Sequence, residues 1–436
     1  MEVLSGILLF CFAVFSIFIG SARSSVLNVV DFGATGDGQT DDSMAFLQAW
    51  KALCGAAPAQ NVPILMVPAG KTFLLQPVEF SGPCSSSAVS VQVLGNIVAP
   101  RSIDAWKFGQ SESWLSFSHV LNLTIFGTGQ IDGQGSAWWS HSQSNDLKVL
   151  IYFVSSSLEV LSSFSFKYKL MIILKISRKL ITRITIALHF NQCNNLTLTG
   201  LTHINSPKSH ISLSGCTGVM ISHLNIIAPK ESPNTDGIDV SRSSHVKILH
   251  SNIATGDDCV AINGNSSNIR IIDVVCGPGH GISVGSLGAN GCSDTVEEVH
   301  VQNCTFNGTQ NGVRIKTWQG GQGFARLISF EHITLIASKN PIIIDQYYCD
   351  GKHDCKNETT AVSISDVTYS DVRGTSAQKE AIRLDCSEIG CTNVVMTGIY
   401  ITPSGTSVHQ TDAYCQNVKG TFNNVTPDVN CLSGSS

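Results

Sequence analysis

Four short motifs in this 436-residue chain hold side chains whose types and spacing could do acid–base chemistry together. They are Asn234-Thr235-Asp236-Gly237, Gly256-Asp257-Asp258-Cys259, Gly279-His280-Gly281 and Arg314-Ile315-Lys316. Asp236 and Asp258 are 22 residues apart, and His280 follows Asp258 at another 22. A chain advancing one layer per 22 residues would stack the three on one wall, with neighbouring layers ~4.8 Å apart. Arg314 comes 34 residues after His280, which implies a longer loop in that layer.

Clustered carboxylates resist joint ionisation, so one of them can keep a proton at mildly acidic pH. That is what cleavage of a glycosidic bond requires: one carboxylic acid protonates the leaving oxygen while a second carboxylate acts on the opposite face of the sugar. Arg314 and Lys316 beside them would bind the carboxylates of an acidic sugar and restrain those proton affinities. Glycines on both sides of His280 let chain or substrate approach its backbone closely. Each motif alone has a plainer reading. Asn-Thr-Asp-Gly is a turn sequence, Asp257-Asp258 could be a solvated bend beside a disulfide, His280 a loop residue, and Arg314 and Lys316 surface charge. A shared 22-residue step in a chain with only 14% charged residues favours the joint reading.

The elements that must position these residues are short β-type runs. Leu123-Thr124-Ile125, Leu196-Thr197-Leu198, Val219-Met220-Ile221, Val246-Lys247-Ile248 and Ile269-Arg270-Ile271 recur at intervals. Val299-His300-Val301, Leu327-Ile328-Ser329, Val362-Ser363-Ile364 and Val394-Val395-Met396 continue the series. Most are followed by Asn, Gly, Asp or Ser, and no helical period lies between them. Repeats of this length predict a solenoid of β-coils, because one coil cannot bury its apolar side chains and a stack of coils can. Ahead of it, Phe46, Trp50 and Leu53 recur on one helical face. A helix running to about Cys54, N-capped by Asp41 or Thr40, would cover the open end of the stack.

Ile7 to Ile19 is an almost unbroken apolar run, followed by Gly20, Ser21, Ala22 and Arg23. It reads as a secretory signal peptide over residues 1–25, too short for a good membrane span. The net charge of −5, with no basic stripe, gives nucleic acid no electrostatic footprint. Fourteen cysteines remain beyond Cys11, several closely paired: Cys259 with Cys276, Cys349 with Cys355, Cys386 with Cys391 and Cys415 with Cys431. In an exported chain such pairs favour disulfides over a metal centre. Sequons begin at Asn122, Asn195, Asn265, Asn303, Asn307, Asn357 and Asn424.

One stretch breaks the pattern. Residues 149–186 contain no Gly, Asn, Asp, Pro, Cys or Ala and carry six Lys/Arg against one Glu. The flanking repeats Asn122-Leu123-Thr124-Ile125 and Asn195-Leu196-Thr197-Leu198 lie 73 residues apart, and without these 38 residues the step would be an ordinary coil. A translated intron is the first reading, and a basic amphipathic segment the second.

Taken in order, the four motifs resemble the polygalacturonases of glycoside hydrolase family 28, especially plant-type members. Val29-Val30-Asp31-Phe32-Gly33-Ala34 with Thr40-Asp41-Asp42 is similar to the N-terminal signature of that group. The resemblance implies an all-β fold, a right-handed parallel β-helix with a short N-terminal capping helix, and hydrolysis of α-1,4-galacturonosyl linkages with inversion. It implies no cofactor and no metal. Residue by residue, it makes Asp257 the general acid and Asp236 and Asp258 the groups that activate water. His280 would hold the network that keeps the acid protonated. Asn234, Arg314, Lys316 and Tyr348 would bind substrate, with Tyr347 a competing match for the last. The family's Arg-Pro stretch before Ala187-Leu188-His189-Phe190 is absent, and Arg183-Ile184-Thr185-Ile186 stands there instead.

Pectic polysaccharide is therefore the expected partner, met by a monomer secreted to the cell wall and free of membrane once the signal is removed. Three other readings stay open. A pectate lyase would need calcium and a basic residue to abstract a proton. A rhamnogalacturonan hydrolase would prefer a mixed backbone. An inactive pectin-binding wall protein would be one disabled by residues 149–186.

Overall fold

The computed structural model describes residues 26–57, 61–107, 112–143, 185–350, 355, 358–405 and 410–430. Strands stack in parallel into long columns. An 11-stranded column runs from Val78–Ser81 to Asp412–Gln416, and a 22-stranded sheet closes the rest of the solenoid. Apart from the 73-residue step between Thr124 and Thr197, successive coils take from 22 residues, where Ile238 pairs with Val260, to 40, where Ile342 pairs with Ile382. The result is the expected right-handed parallel β-helix.

The repeats recognised in sequence form one register. Thr124 pairs with Thr197, then Met220, Lys247, Arg270 and His300 in turn. Two of the proposed triplets are misaligned. His300 pairs with Ser329 and Val299 with Ile328, so Leu327 turns outward and is exposed. Ser329 in turn pairs with Thr368, which makes Val367-Thr368-Tyr369 the true repeat instead of Val362-Ser363-Ile364. Both slips arise because the strands there run longer than three residues, Gln322–Ser338 and Ser363–Ser376, and offer several apolar alternations.

Inside the columns, Leu123, Leu198, Ile221, Ile248, Ile271, Val301, Phe330 and Tyr369 are buried in one continuous core. Each such side chain contributes about 1.5–3 kcal/mol when fully removed from water. At the N-terminal end the helix Ser43–Cys54 covers the stack through Phe46, Trp50 and Leu53, all buried as expected. Its cap differs from expectation. Asp42 occupies the cap position but spends its carboxylate on the amides of Thr35 and Gly36. Asp41 Oδ1 instead accepts from the amide and hydroxyl of Ser43.

Three expected disulfides form: Cys259–Cys276, Cys349–Cys355 and Cys386–Cys391. Cys54–Cys84 adds a fourth that ties the helix end to the solenoid. Cys415 is disulfide-bonded, and Cys431 lies outside the described residues. Cys193, Cys216 and Cys304 are not oxidised; they are buried thiols that pack the coils, and Cys292 is an exposed thiol. An even count therefore overstated the disulfide framework.

Asn195 Nδ2 donates to Asn122 Oδ1 at 3.0 Å across 73 residues, so the column closes over the anomalous stretch. The signal-peptide segment lies outside the described residues, as does the anomalous stretch apart from Thr185 and Ile186. Those two belong to the coil: Thr185 is buried, and Ile186 opens the strand Ile186–Asn191 beside Ser113.

Candidate active site

The wall that carries the motifs is built from the strands Ile238–Ser241, Val260–Ile262, Ile282–Leu287 and Asn311–Trp318. Their alternation sends Ile238, Val240, Val260, Ile262, Ile282, Val284, Val313 and Ile315 into the core, all at 0% exposure. The intervening residues face outward. Ile238 pairs with Val260, Val260 with Ile282, and Ile282 with Val313. Two residues ahead of each stand Asp236, Asp258, His280 and Asn311. The 22-residue spacing is therefore a register, as its sequence implied.

Arg314 departs from the simple stack. It pairs with Ser283, and Asn311 is the residue level with His280, giving its Nδ2 to the His280 carbonyl at 3.0 Å. The 34-residue step thus combines a longer coil with a three-residue offset. That offset aims Arg314 and Lys316 at Asp258.

Neighbouring aspartates receive opposite treatment. Asp258 is fully buried, and its Oδ1 accepts from Arg314 Nη2 at 2.7 Å and Ser283 Oγ at 2.8 Å. Its Oδ2 accepts from Lys316 Nζ at 2.8 Å. Ser283 Oγ also accepts from Arg314 Nε at 2.9 Å, which locks the guanidinium in place. Asp257 is partly open, with 20% of its side chain exposed, and its Oδ1 lies 2.9 Å from His280 Nδ1. Burial alone would raise the Asp257 carboxyl, but the hydrogen bond and charge of His280, the Lys316 charge and the Asp258 amide outweigh it and hold it low.

Asp236 is half-buried and moves the other way. Desolvation, then the charges of Asp239, Asp257 and Asp258, push its proton affinity well up, against the pull of Lys316. Asp239 lies three residues on. Desolvation lifts it to about 6 although Ser209 Oγ donates to its Oδ2 at 2.5 Å. The sequence reading missed Asp239, Ser283 and Asn311. A signal existed for Ser283: the same 22-residue step carries Asp239 to Ala261 and on to Ser283.

The glycines around His280 serve the neighbouring coils. A Cβ on Gly281 would sit 2.3 Å from the Asn311 and Gly312 carbonyls, and one on Gly279 would reach the Asp257 carbonyl at 3.0 Å. Tyr348 sits at the far side of the wall, opposite Trp318 in register and edge-on to it, with Lys316 Nζ 5.2 Å from its ring. Tyr347 contacts Gln416 instead. Asn234 is exposed in a left-handed turn at φ 56°. Asp257, Asp258 and His280 bring ligand-type atoms within 4.8 Å of one another. Arg314 and Lys316 already bond the two oxygens of Asp258.

A solenoid wall that sets several carboxylates against an imidazole and two cations has the equipment of a glycoside hydrolase. The chain belongs to the glycosyl hydrolases family 28, whose family model matches residues 54–159 and 177–428. A probable polygalacturonase of Arabidopsis thaliana is 46% identical over 94% of this chain and 81% of its own length. Polygalacturonase-2 of Solanum lycopersicum is 39% identical over 93% of this chain and 81% of its own. Among solved structures, an endo-xylogalacturonan hydrolase from Aspergillus tubingensis superposes with a TM-score of 0.70 at 25% identity, covering 91% of this chain and 98% of that one. A polygalacturonase from Erwinia carotovora shares the fold at a TM-score of 0.66 and 23% identity, over 88% and 94% of the two chains. Membership in a hydrolase family replaces the lyase reading. Among the described residues no helix is long and apolar enough to cross a membrane.

Proposed function

We propose that this protein hydrolyses the α-1,4-galacturonosyl linkages of polygalacturonate in pectin. The observation that carries the reading is the Asp257–His280 contact, set on one wall with Asp236 by strand register. In the reaction, Asp257 gives the proton it holds with His280 to the leaving glycosidic oxygen as the bond to the anomeric carbon breaks. The resting proton affinities, low at Asp257 and raised at Asp236, run opposite to these roles, so the assignment rests on the family motif. A water oxygen bonds to that carbon from the opposite face and passes a proton to Asp236. Asp258, immobilised by Arg314 and Lys316, orients the water and fixes the electrostatic field between the two. Arg314, Lys316 and Tyr348, with Asn234 at the rim, bind the sugar carboxylates and rings.

His280 and Asp257 share one proton across their hydrogen bond, so the acid is recharged without leaving the wall. One oxygen of Asp257 and one of Asp258 lie within 4.8 Å. That is under the ~6.5–9.5 Å of a generic inverting pair. Inversion therefore rests on the family and on Asp236 as the opposing group. The protein acts as a secreted monomer in the cell wall.

Incubating the purified chain with polygalacturonate and assaying reducing ends tests the activity, with xylogalacturonan and rhamnogalacturonan as competitors. Proton NMR of the first-formed anomer tests inversion. Asp257→Asn should abolish turnover and keep polymer binding. A folded protein that releases no reducing ends from polygalacturonate, with or without residues 149–186, overturns the reading.

A further inference from the structure

Behind the catalytic wall lies a buried histidine that the chemistry above does not use. His210 is fully buried, and it directly precedes the strand Ile211–Ser214, which pairs with the strand after Asp236. Its backbone amide donates to the Asp236 carbonyl at 2.8 Å. Its ring Nδ1 reaches the same carbonyl oxygen at 3.2 Å. On the other side of the ring, the Ser206 amide donates to Nε2 at 3.3 Å.

Only one protonation state satisfies all three contacts. A carbonyl oxygen can only accept, so Nδ1 must carry the hydrogen. An amide N–H can only donate, so Nε2 must be bare. The surroundings enforce this choice. Ser206 is itself buried and pinned, its Oγ donating to the Ser209 carbonyl at 2.8 Å and its carbonyl accepting Trp139 Nε1 at 3.1 Å. A proton on Nε2 would oppose the Ser206 N–H and forfeit that hydrogen bond.

The carbonyl so gripped belongs to a turn that is tied down at other points. Thr235 Oγ1 accepts the Gly256 amide at 3.0 Å, and Gly237 donates to the Asp258 carbonyl at 2.9 Å. Thr235 and the Gly237 amide are thus tied to the following coil, whereas the Asp236 carbonyl is held by His210 of the preceding one.

We infer that His210 is a positioning residue: its neutral Nδ1–H tautomer clamps the Asp236 carbonyl and so fixes where the Asp236 carboxylate stands relative to Asp257. This rests on the proposed hydrolysis. A small displacement of a reacting group costs rate more than affinity, because binding is spread over many contacts and the proton transfer depends on one.

The test compares three substitutions in the full chain. In His210→Asn the side-chain amide falls near the position of Nδ1 and keeps the donor. His210→Gln places its amide near Nε2, and His210→Phe keeps the ring without any donor. The expected result on polygalacturonate is a kcat for His210→Asn within about threefold of wild type. For His210→Gln and His210→Phe, kcat should fall by between about tenfold and a hundredfold with KM changed less than about twofold. Equal kcat across the folded variants, or a loss carried by KM, overturns the inference. An inactive wild type would instead strike the proposed function. Independently of activity, long-range nitrogen-15 NMR of the wild-type protein near pH 6 should show His210 as the neutral Nδ1–H tautomer. The Nε2–H tautomer or an imidazolium there overturns the inference whether or not the variants fold.

Discussion

His280 grips Asp257 twice: its ring Nδ1 stands 2.9 Å from Asp257 Oδ1, and its backbone amide donates to the Asp257 carbonyl at 2.7 Å. The second contact is what one coil stacked on the next would make in any case. The first turns that stacking into chemistry, because a proton placed between the two groups is shared.

The first expectation concerns pH. The Asp257 carboxyl is held low against its desolvation chiefly by His280. Replacing His280 with Asn removes that influence, so the Asp257 titration must move upward. In the proposed role Asp257 must be protonated for turnover, so the limb of kcat/KM that falls with rising pH should shift to higher pH. The maximal rate should drop by about a hundredfold as proton sharing is lost. A pH–rate profile of His280→Asn whose limb stays in place or moves down would contradict the assignment.

Asp258 is the second case. Its side chain is 0% exposed, and those of Arg314 and Lys316 are 11% and 10%. Removing one partner of a buried ion pair leaves an uncompensated charge and costs about 3–5 kcal/mol. Lys316→Met should destabilise by about 3 kcal/mol, and adding Asp258→Asn should recover part of that loss. Urea denaturation of the two variants measures both, and strict additivity would contradict the coupling.

Acid stability follows from two buried histidines. Burial lowers His203 to about 3, with the His210 charge adding to the effect, and lowers His210 to about 4 against the pull of the Asp236, Ile227 and Thr235 carbonyls. Both start from an ordinary value of 6.5. Between those limits the unfolded chain binds more protons than the folded one. Stability is then fully present above pH 6.5 and is lost as pH falls, by about 1.4 kcal/mol per histidine per pH unit. His203 also leaves both ring nitrogens without a hydrogen bond. His203→Leu should therefore be more stable than wild type, by a margin that widens from pH 6.5 down to pH 4. Chemical denaturation at several pH values reads this, and a constant margin would refute it.

At the end of the solenoid, Trp50 donates Nε1 to the Ser81 carbonyl at 3.1 Å and lies edge-on to Phe80 and Phe117, each at 5.5 Å. Trp50→Ala should cost about 3–5 kcal/mol, since a cavity opens where the helix seals the stack. Thermal and urea unfolding measure it; a loss under 1 kcal/mol, on the order of a surface change, would mean the helix is not a cap.

Much of the site was legible because a solenoid converts sequence spacing into distance. Asp236, Asp258 and His280 share a 22-residue step, and with parallel strands that step is one layer. Where coil lengths vary, the conversion fails. Arg314 was assigned to the right wall but not to its partner, because the longer coil before it hides a three-residue offset. Leu327 and Val362 were placed one position or more from their register, because strands longer than a triplet offer several equally apolar alignments.

What the residues determined by themselves was the set of chemical groups and their order. They also determined the alternation that turns Val313 and Ile315 inward and Arg314 and Lys316 outward, because side-chain direction along a strand follows from backbone geometry alone. Only the tertiary structure decided how the acids differ. Asp257 and Asp258 are adjacent in the chain and chemically identical. Stacked coils bring His280 to one, and Arg314, Lys316 and Ser283 to the other. Proton affinity depends on burial and neighbouring charge, both of which come from contacts distant in sequence.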